Sequence, residues 1–578
     1  MKTTGAGHIV LQVNGEWITL RRPEQILSTA KPTEVMDVLD RVQAHLDTGK
    51  IAAGYLAYEA APAFDSHFDV HPASDAPLAW FGIYPEAEKG MLTPEDTGED
   101  FACGDWKSAM DLEAFTTAVA RIHTYIASGD SYQVNLTFPM EAPFSGEPWR
   151  LFEALAAAQS GAYMAYLDTG DAVLCSSSPE CFFTKRGETL ACRPMKGTAA
   201  RGHTQEEDDV YRSELQHSPK DQAENIMIVD MIRNDLGRIA LTGSIDTEEV
   251  FKVEKYPTLF QMTSTVTAQT KATLPAIMSA LFPCASITGA PKVRTMQIIR
   301  ELESRPRGVY TGCIGAAFPD GSAHFNVAIR TVQIDRRRQQ AVYNTGAGIV
   351  WDSDPECEYR ECLSKTRVLF DHRPRFKLLE TILWEPQVGY FLLPYHYNRL
   401  RNSAKYFNIP VKMDAIDQAL KSLPHRLPER AHRLGLTVDP AGNFDIETRQ
   451  IEDKTWHFRV ALNDRPTSSD NLFLYHKTTH RDLYTEARER FPQADDVLLW
   501  NERGELTEST MANLVLRFGE DYFTPPVSCG LLEGTLRSAL IDRETLQKKV
   551  LFKDDLRRAD EILLINSVRK WITVELVS

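Results

Sequence analysis

The sequence lacks the features that mark membrane, secreted and disulfide-bonded proteins. None of its apolar runs approaches the roughly 18 residues that a transmembrane helix needs, and its N-terminus has no apolar signal-peptide core. Its nine cysteines are an odd number and include no Cys-x-x-Cys pair, so neither a disulfide framework nor a zinc site is expected. These absences predict a protein of the reducing cytoplasm that does not span a membrane.

Positive charge is also scarce. The chain has 64 Lys and Arg against 80 Asp and Glu, which gives a formal net charge of -16. Because phosphate-rich surfaces repel such a chain, a nucleic-acid or membrane-surface partner is not expected. The 32 Gly and 31 Pro show no low-complexity bias. With 578 residues, the chain exceeds one hydrophobic core, and the usual domain size of about 150 residues predicts several domains.

The pattern along the chain suggests three parts. These are a strand-rich scaffold at 1–110, a catalytic domain at 111–372 and a second domain at 375–578. The boundary falls in the charged, Pro-broken segment 370–376. A helix is predicted over 111–129, because apolar residues recur there at intervals of three and four and a glycine follows.

Strands are predicted where β-branched residues alternate with polar ones. Segments 309–318, 323–335 and 341–351 have this pattern, and Pro-Asp-Gly at 319–321 joins the first two, which predicts an antiparallel meander. After the boundary, 378–384 and 390–393 resemble strands and 396–407 resembles a helix.

Two pairs of acids have helical spacing. Asp221 and Glu224 are three residues apart in one predicted helix, and Glu358 and Glu361 are three apart in another. Such acids are usually solvated. Two pairs that meet across a cleft could instead hold Mg²⁺, which takes one or two carboxylates, waters and an anionic substrate group.

Further motifs accompany these acids in a fixed order. They are Arg-Pro-Met-Lys-Gly-Thr at 193–198, Ile-Thr-Gly-Ala-Pro-Lys at 287–292, Tyr-Thr-Gly at 310–312, Asn-Val-Ala-Ile-Arg at 326–330 and Gly-Ala-Gly-Ile-Val at 346–350. Together with the acids, residues 112–370 resemble the chorismate-utilising enzymes, which include anthranilate, isochorismate, salicylate and aminodeoxychorismate synthases. The resemblance implies an α/β (α+β) fold in which two antiparallel sheets form a sandwich around the chorismate site.

The resemblance also implies residue roles. Glu224 and Glu361 would coordinate Mg²⁺, while Asp221 and Glu358 would hold its waters. The expected substrate-binding residues are Thr288, Tyr310, Arg330 and Gly348. Among these, Arg330 and Tyr310 would bind the enolpyruvyl carboxylate, for which a bidentate guanidinium is suited.

Lys196 distinguishes between members of this family. Aminodeoxychorismate synthases have a lysine at this motif position that attacks C2 of chorismate, whereas anthranilate synthases have a small residue there. We therefore expect Lys196 to be catalytic. Where anthranilate synthases have a histidine, this chain has Gln261, which cannot shuttle a proton at neutral pH. No cysteine lies in a glutaminase setting, so ammonia is expected from a separate glutamine amidotransferase subunit.

A different set of motifs follows residue 375. The chain has Lys477 between an apolar segment at 473–476, taken as a strand, and a polar segment taken as a helix. With His-Tyr-Asn-Arg-Leu at 396–400, Leu-Thr-Glu-Ser at 506–509 and Gly-Leu-Leu-Glu-Gly-Thr at 530–535, this part resembles the fold-type IV PLP enzymes. That family includes class IV aminotransferases and aminodeoxychorismate lyase.

This second resemblance implies a PLP site. Its members are Lys477 as the Schiff-base lysine, Glu508 at the pyridine nitrogen, Arg399, Gly534 and Thr535 at the phosphate, Thr381 as a catalytic residue assisting proton transfer, and Asn513 and Asn566 in the pocket. These residue types suit PLP, because its nitrogen needs a carboxylate and its phosphate needs arginine and backbone donors.

The two resemblances together imply consecutive reactions from chorismate to 4-aminobenzoate for folate. A first alternative is an anthranilate or salicylate synthase fused to a true aminotransferase, against which Lys196 argues. A second is a regulator that binds chorismate or PLP without turnover, against which both lysines and all four acids argue. The sequence does not settle the oligomeric state, and a homodimer through the PLP domain stays open.

Overall fold

The computed structural model describes residues 6–72, 76–90, 100–158, 163–370, 374, 376–451 and 457–577. The chain divides into two compact units. Unit 1 comprises Met1–Ala200 and Arg212–Arg373, and unit 2 comprises Arg201–Tyr211 and Pro374–Ser578. The segment 370–376, where a boundary was predicted, lies mostly outside the described residues. Among the helices so described, none is long and apolar enough to cross a membrane.

Unit 1 contains two large antiparallel sheets. The eleven-stranded sheet has the order Gly289–Ala290, Gln133–Gly146, Gln340–Ile349, Thr331–Asp335, Ala172–Ser178, Tyr163–Asp168, His8–Val13, Glu16–Leu20 and Glu88–Gly90, with Phe101–Cys103 and Lys107–Ser108 also paired to Gln133–Gly146. The ten-stranded sheet has the order Met195–Ala200, Leu259–Gln269, Thr189–Arg193, Cys181–Arg186, Ala323–Val327, Cys313–Ala317, Ile51–Leu56, Ala79–Tyr84 and Gln25–Thr29, with Asp246–Lys255 beside Leu259–Gln269.

Alternating side chains place the core between these sheets. Ile9 and Leu11 contribute to one cluster with residues of the ten-stranded sheet, while Val10 points to a second cluster on the opposite face. This is the period of two that a strand imposes. Every residue of Ile51–Leu56 and Ala79–Tyr84 is buried, so both faces of these strands are covered. The helices of unit 1 are Val35–Asp47, Leu112–Ala127, Pro148–Ala158, Pro219–Gly237, Leu274–Leu281, Lys292–Leu302 and Pro355–Thr366, and Gln205–His217 is shared between the units.

Unit 2 contains a four-stranded and an eight-stranded sheet. The first is antiparallel in the order Gly389–Tyr390, Leu378–Glu385, His432–Val438 and Phe444–Gln450. The second has the order Leu506–Ser509, Asp496–Trp500, His457–Leu462, Lys570–Val577, Glu561–Asn566, Asn513–Phe518, Asp521–Thr524 and Gln547–Lys548. The helices of this unit are Leu393–Phe407, Met413–Ser422, Asp482–Arg490, Thr535–Asp542 and Asp555–Arg558.

The eight-stranded sheet closes on itself. Leu506–Ser509 pairs with Asn513–Phe518 through Glu508 and Asn513, which joins the first strand of the order to the sixth. Six strands therefore form a barrel whose closure lies at these two residues.

Several predicted elements are present with altered bounds. The helix predicted over 111–129 is Leu112–Ala127, with Asp111 as its N-cap. The meander joined by 319–321 forms as Cys313–Ala317 against Ala323–Val327. The predicted strand 323–335 is in fact two strands, because the chain passes from one sheet to the other between Val327 and Thr331.

One prediction in unit 2 was wrong in type and another in its bounds. The apolar segment before Lys477 is a 3-10 turn, Leu472–Leu474, and not a strand. A run of three apolar residues does not distinguish the two structures, since it is too short to show a period. The strand expected over 390–393 ends at Tyr390, and the following helix begins at Leu393.

Candidate active sites

Unit 1 has a cavity of about 390 Å³. Residues from both sheets and from two helices line it, and most of the residues predicted for the chorismate site lie there. They are Lys196, Asp221, Glu224, Tyr310, Arg330, Gly348, Glu358 and Glu361. Thr288 does not line the cavity, because its buried hydroxyl donates to the carbonyls of Cys284 and Ala285.

The four acids project from the starts of two helices. Ser218 caps Pro219–Gly237 and Asp354 caps Pro355–Thr366, and each helix begins with proline directly after its cap. Proline suits this first position because its missing N–H has no partner there in any case. Asp221 and Glu358 therefore lie in the first turn or at its end, where the helix dipole favours negative charge, and Glu224 and Glu361 lie about one turn further along.

The acids differ in how their charge is compensated. Lys365 lies 2.8 Å from Glu361 and lowers the pKa of that carboxyl. Burial, with the nearby carboxylates Asp221 and Glu361, raises the pKa of Glu224. Burial also raises the pKa of Glu358, whose carboxylate accepts a hydrogen bond of 2.8 Å from Ser353.

A hard dication would offset the repulsion among these carboxylates. In the described ranges, no three or more His, Cys, Asp or Glu side chains are close enough together to hold a metal ion. The donor set fits Mg²⁺ nonetheless, because this ion usually binds one or two carboxylates and completes its shell with water and substrate oxygens.

Lys196 lies on strand Met195–Ala200 and faces this acidic cavity. Burial lowers its pKa, although the charges of Glu224 and Glu180 oppose that shift. Gly197, next to it, has φ +90, and a Cβ there would lie 2.9 Å from Cβ of Asp221. Gln261 fixes this backbone by donating from its amide to the Gly197 carbonyl at 2.9 Å. Gln261 thus has a positioning role that needs no proton transfer.

Glu180 is a cavity residue that the sequence analysis missed. Its carboxyl is 3% exposed and accepts a hydrogen bond of 2.6 Å from Ser286. Burial raises its pKa to about 7. A neutral-range acid beside Lys196 can supply a proton to a leaving group. The available signal was an acidic residue within the apolar run at 179–183.

Gln133 is the second missed residue. Neither polar atom of its buried amide has a hydrogen-bond partner among the described residues. A Cβ at position 348 would lie 2.3 Å from Gln133 Nε2 and 2.9 Å from Lys196 Nζ, so Gly348 leaves the space between them open. An unpartnered buried amide is rare and indicates a ligand or water in that space.

Arg330 and Tyr310 supply the cationic and phenolic side of the cavity. Arg330 has φ +50, a left-handed backbone conformation that is costly for arginine and is often found at functional sites. Burial lowers the pKa of its guanidinium and raises that of the Tyr310 hydroxyl. A guanidinium and a protonated phenol are both hydrogen-bond donors, so these two side chains suit an anionic ligand.

Unit 2 has a second cavity, of about 640 Å³. All of the residues predicted for the PLP site line it, namely Thr381, Arg399, Lys477, Glu508, Asn513, Gly534, Thr535 and Asn566. Burial, with the charges of Arg399 and Arg481, lowers the pKa of Lys477 to about 7. A largely neutral amine at physiological pH is the nucleophile that an aldehyde requires.

Glu508 lies at the closure of the barrel. Its carboxyl accepts hydrogen bonds from the Tyr484 hydroxyl at 2.8 Å and from the Asn513 amide at 3.3 Å. Burial raises its pKa to about 7. A ring nitrogen that shares this proton would compensate the buried charge.

The N-terminus of Thr535–Asp542 forms another wall, with Gly534 as its N-cap. A Cβ on Gly534 would lie 1.8 Å from Asn513 Oδ1, so glycine is required there. Backbone N–H groups at a helix N-terminus bind phosphate. Arg399 stands nearby and donates to the Glu533 carbonyl at 3.1 Å. Three parts of this cavity therefore fit the three functional groups of PLP. Lys477 fits its aldehyde, Glu508 fits its ring nitrogen, and this wall fits its phosphate.

A buried network holds Arg399. Glu380 accepts two hydrogen bonds from Arg399, of 2.9 and 2.7 Å, and one contact of 2.6 Å from His396. The other ring nitrogen of His396 lies 3.5 Å from the Thr535 hydroxyl. Burial opposes ionisation of Glu380, but the Arg399 charge lowers its pKa to about 2.

Comparisons with known proteins agree with this division of the chain. Residues 8–371 match the model of a family described as chorismate binding enzyme, and residues 377–577 match that of amino-transferase class IV. Aminodeoxychorismate synthase component 1 of Bacillus subtilis is 39% identical over 294 residues, which are 50% of this chain and 61% of that protein. Anthranilate synthase component 1 of Saccharolobus solfataricus is 35% identical over 333 residues, 55% of this chain and 79% of that protein.

A solved structure shares the fold of the first part. Anthranilate synthase component I from Streptococcus pneumoniae has a TM-score of 0.52 at 23% identity and covers 63% of this chain and 89% of its own. The chain spans about three fifths of the length of the curated aminodeoxychorismate synthase relatives that it matches.

Proposed function

The chain belongs to the chorismate-binding enzymes, and from this premise we propose that it makes 4-aminobenzoate from chorismate and ammonia in two consecutive reactions. Unit 1 would convert chorismate to 4-amino-4-deoxychorismate. Unit 2 would then remove pyruvate with PLP as cofactor. One observation carries the first assignment: a partly buried lysine, Lys196, lies in the same cavity as five acids and Arg330.

The first reaction uses Lys196 as a nucleophile. Its neutral Nζ forms a bond to C2 of chorismate while the C4–O bond breaks, and Glu180 gives its proton to the departing hydroxyl, which leaves as water. Ammonia then adds at C4, the C2–N bond breaks, and the lysine is released as the amine. Lys196 Nζ loses a proton after it bonds to C2, and this proton returns to Glu180. The proton that the added ammonia loses goes to the departing Lys196 Nζ, so the acid and the nucleophile are both regenerated.

The remaining groups of this cavity bind the substrate's anionic groups. Arg330 and Tyr310 would hold the enolpyruvyl carboxylate. Mg²⁺, held by Glu224 and Glu361 with Asp221 and Glu358 around its waters, would screen the ring carboxylate from the acids. Relatives named component 1 support a separate glutamine amidotransferase as the source of ammonia.

The second reaction places 4-amino-4-deoxychorismate in the cavity of unit 2. PLP supplies an electron sink for charge that develops at C4 of the substrate ring. Lys477 Nζ would remove the proton from C4, and the Thr381 hydroxyl would help pass this proton to the enolpyruvyl group as the bond between ring C3 and the enolpyruvyl oxygen breaks, so that the group leaves as pyruvate. Glu508 would hold a proton towards the cofactor nitrogen, and Gly534 and Thr535 would hold its phosphate. The ring becomes aromatic and pyruvate leaves.

The two lysines separate the reactions experimentally. The full chain, supplied with chorismate, Mg²⁺, PLP and an ammonium salt, should yield 4-aminobenzoate and pyruvate, identified by chromatography and mass spectrometry. Lys196→Ala should abolish all products, whereas Lys477→Ala should accumulate 4-amino-4-deoxychorismate and lose the absorbance of bound PLP.

Two exposed lysines provide matched controls. Lys271 and Lys421 have side chains 73% and 75% exposed, so Lys271→Ala and Lys421→Ala should retain both activities. Formation of 2-aminobenzoate or salicylate by the unaltered chain would overturn the proposal and favour an anthranilate-type or salicylate-type first reaction. A homodimer through unit 2 and a cytoplasmic location remain further parts of the proposal, and light scattering and cell fractionation test them.

A further inference from the structure

The cavity of unit 2 is unusually rich in arginine. Six arginines line it, Arg399, Arg433, Arg449, Arg481, Arg488 and Arg569. Among the described lining residues, Glu508 is the one carboxylate. A cavity wall with so much charge of one sign concentrates ions of the opposite sign.

Two of these arginines are held close to the cofactor end. Arg399 is bound to Glu380, and Arg481 donates to the Thr510 carbonyl and lies over the Tyr484 ring at 4.4 Å. Both contribute to the low pKa of Lys477. These two positive charges therefore act on the Lys477 amine.

The other arginines come from four separate elements and converge elsewhere in the cavity. Arg433 and Arg449 stand directly opposite each other on neighbouring antiparallel strands. Like charges in this arrangement destabilise a sheet. Arg488 comes from helix Asp482–Arg490 and Arg569 from the turn after Glu561–Asn566.

Arg433, Arg488 and Arg569 line the same cavity and affect one another electrostatically. Burial, followed by the charges of Arg433 and Arg488, lowers the pKa of Arg569. Asp496 opposes that shift; Oδ1 of its buried carboxylate accepts from the Thr510 hydroxyl and backbone, and its Oδ2 has no hydrogen-bond partner among the described residues. One such acid does not balance three or four guanidinium groups, and clustering of this kind is stabilised by a bound anion.

We infer that Arg433, Arg488 and Arg569 form a carboxylate subsite for the part of the substrate remote from the amine that reacts near Lys477. This inference rests on the proposed function and adds a selection rule to it. An α-amino acid has its carboxylate next to the amine-bearing carbon, near Lys477. A ring with the amine and carboxylate at opposite positions reaches the second group of arginines, so the subsite favours para-amino ring acids over ordinary amino acids.

Two isomeric probes test the inference. Calorimetric titration of the PLP-loaded full chain should show tighter binding of 4-aminobenzoate than of 2-aminobenzoate, which has the same charge but an adjacent carboxylate. Arg433→Gln and Arg488→Gln should each weaken 4-aminobenzoate by about tenfold, as expected for loss of a hydrogen bond to a charged group. They should leave binding of 2-aminobenzoate and the PLP absorbance unchanged. Arg558→Gln, at an exposed arginine outside the cavity, is the matched control.

The outcomes separate this inference from the proposed function. If the arginine variants bind 4-aminobenzoate like the control, or lose both isomers equally, the subsite is overturned whatever the enzyme catalyses. If the variants lose only the para isomer while the unaltered chain fails to release pyruvate from 4-amino-4-deoxychorismate, the subsite stands and the proposed lyase reaction fails.

Discussion

Glu180 and Glu508 are buried carboxyls in different cavities, and burial raises the pKa of each to about 7. Their partners give them different uses. Ser286 donates to Glu180 beside Lys196, which leaves a proton available for a leaving group. Glu508 accepts from Tyr484, Asn513 and the Leu532 backbone, which holds it in place for a cofactor nitrogen.

The protonation of Glu180 predicts a pH dependence for the first reaction. Burial raises the pKa of the Glu180 carboxyl to about 7, and the reaction needs this carboxyl protonated while the Lys196 amine is neutral, so kcat/KM for chorismate should rise and then fall with pH, and the alkaline fall requires loss of the Glu180 proton. Glu180→Gln keeps the contact with Ser286 but has no acidic proton, and it should lower kcat/KM by at least about 100-fold. The assay holds the concentration of neutral ammonia constant across the pH range.

The same variant should also lose the alkaline decline. Glu188→Gln, at a side chain 55% exposed, serves as the control and should keep the profile of the unaltered chain. An alkaline decline that persists in Glu180→Gln would assign the titration to another group.

At this scale the sequence predicts residues that belong to recognisable motifs. Lys196 and the four acids were found in that way, and they do share a cavity, although their roles stay predictions. Glu180 and Gln133 were not found, because their importance comes from burial and from neighbours distant in the chain. Thr288 shows the opposite case, since a motif residue can turn its side chain into the protein.

Strand Leu378–Glu385 and helix Leu393–Phe407 act together through one ion pair. Glu380 on the strand binds His396 and Arg399, which are three residues apart on one helix face. These contacts hold the arginine beside Glu533, next to the helix N-terminus where the phosphate is proposed to bind. The contact between this strand and this helix therefore also holds Arg399 in place at the proposed phosphate site.

This arrangement predicts a phosphate-specific defect. Glu380→Gln should weaken PLP binding to the full chain by about tenfold or more, because Arg399 loses its charged partner and its fixed orientation. Pyridoxal, which lacks the phosphate, should bind the variant and the unaltered chain alike. Equilibrium dialysis with absorbance detection measures both. Equal weakening of both ligands would indicate a general loss of structure and contradict the prediction.

The sequence predicts elements well where a period is long enough to be seen. Leu112–Ala127 has four apolar residues at helical intervals and a capping aspartate, and it was predicted within two residues at each end. Leu472–Leu474 has only three apolar residues and was assigned the wrong type. The strand predicted at 323–335 was divided because a change of sheet leaves no mark in local hydrophobicity.

At the scale of the whole molecule, the two units are not two consecutive stretches of the chain. Segment Arg201–Tyr211 belongs to unit 2 although it lies within the family match that covers 8–371. Arg201 forms a buried ion pair of 2.6 Å with Asp208 and lies over the Tyr406 ring at 4.1 Å. The sequence did not predict this, because the contact between Arg201 and Tyr406 joins residues about two hundred positions apart.

Arg201→Ala should therefore destabilise unit 2. Removal of one partner from a buried ion pair costs about 3–5 kcal/mol, since the other charge is left uncompensated. The temperature at which bound PLP absorbance is lost on heating should fall, because that chromophore reports on unit 2. Arg338→Ala, at a side chain 73% exposed, should leave it unchanged. An unchanged transition in Arg201→Ala would show that unit 2 does not depend on the segment.

The barrel closes at Glu508 and Asn513, and this position links the proposed cofactor site to the stability of the barrel. Glu508, whose carboxylate would face the cofactor, also supplies through its backbone one half of the residue pair that closes the sheet into a barrel. A ligand that binds Glu508 would therefore also stabilise the pairing of these two strands. Without the ligand, the barrel is closed there by a single pair of residues. Occupancy and the integrity of the barrel are thus linked thermodynamically, and each favours the other.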